Sequence, residues 1–165
     1  MSWWEILHLI STAFMVGVIW YVQLVHYPMF DEYDKARFSK IHNRHQVLTT
    51  FVVGPMMLME VLSGCLIFDA ELFLAQPLWL VSAFLLLGVW LSTACLQMPC
   101  HFKLERRYSA RGLKFLVRSN WLRTLAWTSR LVCLAIIFQG LSLIHISEPT
   151  RPERIGGCGV WVEKK

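Results

Sequence analysis

Charge is scarce in this chain. Only 16% of its 165 residues are Asp, Glu, Lys or Arg, against about a quarter in an ordinary soluble domain, and four long stretches carry very few of them. Also missing are the short motifs through which soluble enzymes become legible: there is no phosphate-binding glycine loop, dinucleotide fingerprint, HExxH or Ser-His-Asp series. The five cysteines include no CxxC pair, which argues against a thiolate metal site, and without CxxCH any haem is expected to be non-covalent. Cys65, Cys95 and Cys133 lie inside apolar stretches, where a free thiol packs as a small hydrophobe. The length suits one compact domain.

What is present is apolar length. A membrane-spanning helix needs roughly 20 mostly apolar residues, and four stretches qualify: 6–27, 47–68, 78–98 and 120–140. The first lacks a basic start and a small-residue cleavage site, so it is expected to stay in the chain as a span rather than act as a leader. Trp and Tyr near several span ends fit an interfacial belt. The net charge of +5 is not spread evenly. Lys35, Arg37, Lys40 and Arg44 fall between spans one and two; Lys103, Arg106, Arg107, Arg111, Lys114 and Arg118 fall between spans three and four. The other side holds Glu5, Asp69 and Glu71 and, before residue 141, no Lys or Arg. By the positive-inside rule both basic loops are cytoplasmic and both termini lie outside. The expected fold is thus all-α, a membrane-embedded four-helix bundle over residues 1–140. Its first partner is the lipid bilayer, anionic headgroups included, and not nucleic acid. The segment 101–116 reads equally as an interfacial amphipathic helix or a solvated basic loop.

Polar residues inside apolar helices are costly and point to the bundle interior. Helical spacing places Glu5, His8, Thr12, Met15, Gln23 and His26 on one face of the first helix, and His42, His45, Thr49, Met56, Glu60 and Ser63 on one face of the second. Thr93, Gln97 and His101 line up on the third, and Asn120, Arg123, Trp127 and Arg130 on the fourth. With alternating helix direction, His26, His42, His45, Gln97, His101, Asn120 and Arg123 meet on the cytoplasmic side and form the candidate cofactor- or ligand-binding pocket. A scatter of headgroup-level histidines is the plainer alternative. His42 and His45, three apart, are the candidate metal ligands, and His26 with His45 is a candidate axial pair for haem. His8 is expected to have no partner on its side.

Glu60 lies thirteen positions past Val47 and Arg130 ten past Asn120, depths of roughly 20 and 15 Å. Neither charge reaches water easily from there, so a buried ion pair is expected, as a register-fixing contact or as part of a proton or anion relay. Proline is expected to end the first helix at Tyr27-Pro28, to bend or end the third at Met98-Pro99, and to kink the second at Gly54-Pro55.

From Leu141 the character changes. LSLIHISEPTR (141–151) resembles, residue for residue, the direct translation of a transposase-type sequencing adapter, so 141–165 is expected to be a non-native, disordered tail and the natural chain to differ after Gly140. The segments WYVQLVHYPMF, FVVGPMMLME, WLSTACLQMPCHFKL and NWLRTLAWTSR resemble a family of bacterial four-helix integral membrane proteins of unknown function. That resemblance implies the bacterial inner membrane, and places to look at His26, Pro28, Pro55, Glu60, Gln97, His101, Asn120, Trp121, Arg123 and Arg130. In size and helix layout the chain is also loosely similar to the haem-biosynthetic four-helix oxidases, a likeness of fold from which no activity carries over. Three classes of function stay open: a membrane protein binding haem, a transition metal or another small ligand in the His/Arg pocket; a carrier for an amphipathic anion with Arg123 and Arg130 as counter-charges; and a structural subunit of a membrane complex or homo-oligomer.

Overall fold

A computed structural model describes residues 2–30, 33–69, 71, 73 and 76–146, with only the backbone described for 141–146. Ser2 opens helix α1 (Trp3–Tyr21) with a capping box: its hydroxyl accepts the Glu5 N–H at 3.3 Å, and the Glu5 carboxylate accepts the Ser2 N–H at 2.6 Å. A π-helical turn, Val22–His26, leads into α2 (Tyr27–Met29). Asp34 caps α3 (Lys35–Leu66), accepting the Ala36 N–H at 3.0 Å, and this helix runs unbroken through Pro55. The third rod is α4 (Pro77–Ser92), a second π-helical turn (Thr93–Gln97) and α5 (Met98–Arg106). The fourth is α6 (Ala110–Ile146). No strand occurs among the described residues.

The four rods Trp3–Met29, Lys35–Leu66, Pro77–Arg106 and Ala110–Gly140 are long and apolar enough to cross a membrane. They hold 27 to 32 residues each, or about 40–48 Å of helix, so they exceed the roughly 30 Å apolar thickness at their ends. The segment 101–116 is neither a separate interfacial helix nor a long loop. It finishes the third rod, turns at Arg107–Ser109 and starts the fourth, with Ser109 accepting the N–H groups of Gly112 and Leu113. The fourth helix likewise passes Gly140 and reaches Ile146; the rest of the expected tail, 147–165, lies outside the described residues.

Pro28 and Pro99 do not end their helices, and both exceptions have one cause. A proline ring collides with the carbonyl four residues back and offers it no N–H. In each rod a five-residue π turn comes immediately before the X-Pro pair: the Tyr27 N–H bonds to the Val22 carbonyl, and the Met98 N–H to the Thr93 carbonyl, five residues back instead of four. The wider turn accommodates the ring, and Tyr27 (φ −66°, ψ −39°) and Met98 (φ −58°, ψ −48°) stay helical. The extra residue rotates every following side chain by about 100° around its rod.

α1 packs along α3, α4 along α6, and α1 along α6, while α3 meets α5. The interior alternates in layers. Val22, Tyr27, Phe30, Phe38, Cys100, Leu104, Leu113 and Leu116 fill the end carrying the basic turns, here the basic end. Met15, Ile19, Met57, Val89 and Trp127 fill the middle, and Trp79, Leu134, Ile137 and Phe138 the opposite, acidic end. The outer surface is apolar: Phe51 is 75% exposed and Phe84 70%, whereas Thr12, Glu60 and Asn120 are 0% exposed. Two polar layers lie between the apolar ones.

Candidate functional site

Helix periodicity brings the polar layer near the acidic end together from all four rods. The Glu60 carboxylate accepts the Thr12 hydroxyl at 2.7 Å, the Trp127 indole N–H at 3.1 Å and one Arg130 Nη1–H. Arg130 and Glu60 form an ion pair, both buried. Arg130 Nε donates to the Ser82 carbonyl at 3.1 Å, its Nη1 also reaches Thr12 at 3.3 Å, and its Nη2 donates to His8 Nε2 at 2.7 Å. Because guanidinium nitrogens only donate, His8 Nε2 is an acceptor and the imidazole proton is assigned to Nδ1. That N–H faces the Ser63 hydroxyl at 2.9 Å, which donates in turn to the Met59 carbonyl at 2.6 Å. His8 therefore has two partners where the sequence suggested none. The Ser82 carbonyl has no sequence signature, since every residue carries one; Ser63 sits on the polar face already evident in the second helix.

The layer near the basic end holds the seven candidate pocket residues, and it divides in two. In one part Gln23 Oε1 accepts the Asn120 amide at 2.7 Å, and Asn120 Oδ1 accepts Arg123 Nε at 3.1 Å together with its Nη2. Arg123 Nη1 approaches the Thr93 hydroxyl at 3.5 Å, and the Tyr27 hydroxyl is its other polar neighbour. Gln97 donates to Ser119 at 2.8 Å. In the other part four imidazoles meet. His42 Nε2 and His101 Nδ1 are 3.0 Å apart, and His42 stacks on Phe38 with centroids 5.3 Å apart. His26 and His45 stack face to face at 3.7 Å, with Phe30 against the edge at 4.6 Å from His26. Tyr27, Phe30, Phe38 and Ser119 are the participants that the sequence did not single out. The first three follow from the rotation after the π turn and from the start of α3 packing onto it; Ser119 sits beside Asn120 on a face that the polar stripe already marked.

The expected HxxH chelate takes a different form. His42 and His45 share a helix face but turn to different partners across the bundle, because ring orientation is set by Phe38 and His101 on one side and by His26 on the other. Two nitrogens on one ion at about 2.1 Å stand about 3.0–3.4 Å apart, so His42 Nε2 and His101 Nδ1 are the pair with chelating separation. The stacked His26 and His45 present faces, not nitrogens, to each other and do not fit an iron between them. Among the described residues no group of three or more His, Cys, Asp or Glu is placed to hold one metal ion.

Six buried side-chain polar atoms have no hydrogen-bond partner among the described residues, and three of them belong to this layer: His26 Nε2, His42 Nδ1 and Gln97 Oε1, one from each of the first three rods. The ion-pair layer contributes none of its own members; Trp79 Nε1, beyond it toward the acidic end, is a fourth. Fold and site together define a class, an all-helical bundle with four rods able to cross a membrane and two polar layers in its interior. No known protein family, curated protein or solved structure matches the chain, so the assignment rests on these residues.

Proposed function

We propose that the chain is an integral protein of the bacterial cytoplasmic membrane, with both termini outside, that binds a small ligand or cofactor in the polar layer near its cytoplasmic, basic end. The apolar outer surface supports the bilayer as solvent, and the clustering of Lys and Arg in 35–44 and 103–118 supports the orientation. The bacterial setting is supported by the resemblance of the four motif segments. The observation that carries ligand binding is that three buried atoms without a partner among the described residues, one from each of three rods, belong to this layer. Each such atom costs about 1–3 kcal/mol and is uncommon; three in one layer, beside an arginine, mark a place where a ligand would supply the missing bonds. His42, His101, His26, Gln97, Asn120 and Arg123 are its walls.

The test is purification of the full chain in mild detergent, followed by an absorption spectrum, metal analysis and native mass spectrometry. A stoichiometric small molecule, chromophore or metal is expected, lost in His42→Ala and in His101→Ala and kept in Arg37→Gln on the exposed basic surface. An empty protein that copurifies with a second membrane subunit would overturn this reading in favour of a structural subunit.

A further inference from the structure

The two buried-layer arginines differ in what balances their charge. Arg130 has Glu60. Arg123 has only neutral partners: Asn120, Thr93 and Tyr27. Among the described residues no carboxylate pairs with it, and Glu105, also at the basic end, is engaged by the Asn43 amide at 2.6 Å. Arg123 is half-buried, and a guanidinium partly withdrawn from water without a counter-charge is favoured by whatever supplies a negative charge beside it.

We infer that the ligand of the basic-end layer carries a single negative charge, a monoanionic oxyacid group on an apolar body, seated on Arg123. This rests on the ligand-binding reading above and adds the chemistry of the ligand. Among the described residues the guanidinium has only neutral partners, and on that count it balances one anionic charge and leaves a dianion in excess. The same count disfavours a bare divalent metal at His42 and His101, which would add two positive charges where the described residues place no carboxylate on them. The donors fit an oxyanion. Arg123 has five N–H groups, of which Asn120 takes two, Thr93 one and Tyr27 one, so one remains for a charge-assisted bond to an anion. Tyr27, Phe30 and Phe38, buried at the same level as the histidines, supply the apolar surface that such a body would pack against. A free carboxylate and the phosphodiester of an anionic phospholipid share this chemistry.

The experiment uses the full chain in neutral detergent, followed by tryptophan fluorescence and native mass spectrometry. Decanoate is titrated against decanol, and, in nanodiscs, phosphatidylglycerol is compared with phosphatidylcholine. Wild type is expected to prefer one anion over its neutral counterpart by at least about tenfold, the preference disappearing in Arg123→Gln and surviving in Arg37→Gln. Preference for decanoate alone assigns a free carboxylate; preference for phosphatidylglycerol alone assigns a headgroup. Should Arg123→Gln fail to fold, Arg123→Lys keeps the charge and loses the planar guanidinium, and is expected to weaken the anion without changing decanol binding. An anion preference that persists unchanged in both variants, or no preference in wild type, overturns the inference. If ligands bind in a His42-dependent way without charge preference, the pocket stands and only its anion chemistry falls; if nothing binds, neutral or anionic, both readings fall.

Discussion

Arg123 and Arg130 lie two turns apart on one helix, in layers separated by Met15, Ile19, Met57, Val89 and Trp127. Around Arg130 the bonds close on themselves: Glu60, Thr12, His8, Ser63 and the Ser82 carbonyl use one another's donors and acceptors, and all four rods take part. Around Arg123 the bonds stay open, with no carboxylate partner and three unpartnered atoms in the layer among the described residues. Polar residues of similar type, at similar helical spacing, thus do opposite things. A closed network holds helices in register, because any shift breaks several bonds at once. An open one leaves bonding capacity for something that arrives later, and residues selected for that are not selected for stability.

Breaking the closed layer is the largest expected effect. Glu60→Gln strands Arg130 and should destabilise by about 3–5 kcal/mol in unfolding experiments in detergent. Adding Arg130→Gln should recover part of that loss, whereas strictly additive losses would mean that the two charges do not act as a pair. Next comes Gly64→Ala. A Cβ there would meet His8 Cε1 at 3.0 Å, a contact the buried ring cannot easily relieve while bonded to Arg130 and Ser63. A loss of about 1–3 kcal/mol is expected, and an unchanged melting temperature would show that the layer is looser than its bonds suggest.

The open layer should respond less. His42→Phe keeps the stack on Phe38 and removes a ring whose Nδ1 has no partner among the described residues, at the loss of the bond to His101. Stability should fall by about 1–2 kcal/mol, less than in Glu60→Gln, even though ligand is lost. A drop as large as that of Glu60→Gln would erase the distinction between the layers. The smallest perturbation tests orientation alone: a reporter fused after Phe38 or Lys114 should read cytoplasmic, and one after Glu71 external. The reverse pattern would place the open layer at the outer face and sink the assignment of its ligand to the cytoplasm.

Much of this was legible from residues because it is local. Apolar length is a property of consecutive residues: three of the four apolar stretches lie within the rods, and 47–68 overruns its rod's end at Leu66 by two residues. The 3.6-residue period also marks the interior faces: His8, Thr12, His42, Glu60, Gln97, Asn120 and Arg130 are all buried. Depth counted along the helices pointed to Glu60 and Arg130 as partners, and they are bonded. Proline misled, because its rule describes an ordinary α-helical turn and not the wider one that two rods adopt before Pro28 and Pro99.

What periodicity leaves undetermined is how far each rod is rotated about its own axis and which neighbour then faces it. Only packing settled that His42 meets His101 while His45 lies on His26, that His8 receives a bond from Arg130, and that a backbone carbonyl, at Ser82, completes the guanidinium's shell. The same holds for the two arginines. One sequence stripe presents both, but a carboxylate reaches only the deeper one, because Glu60 comes from another helix whose height and rotation are set by the whole bundle.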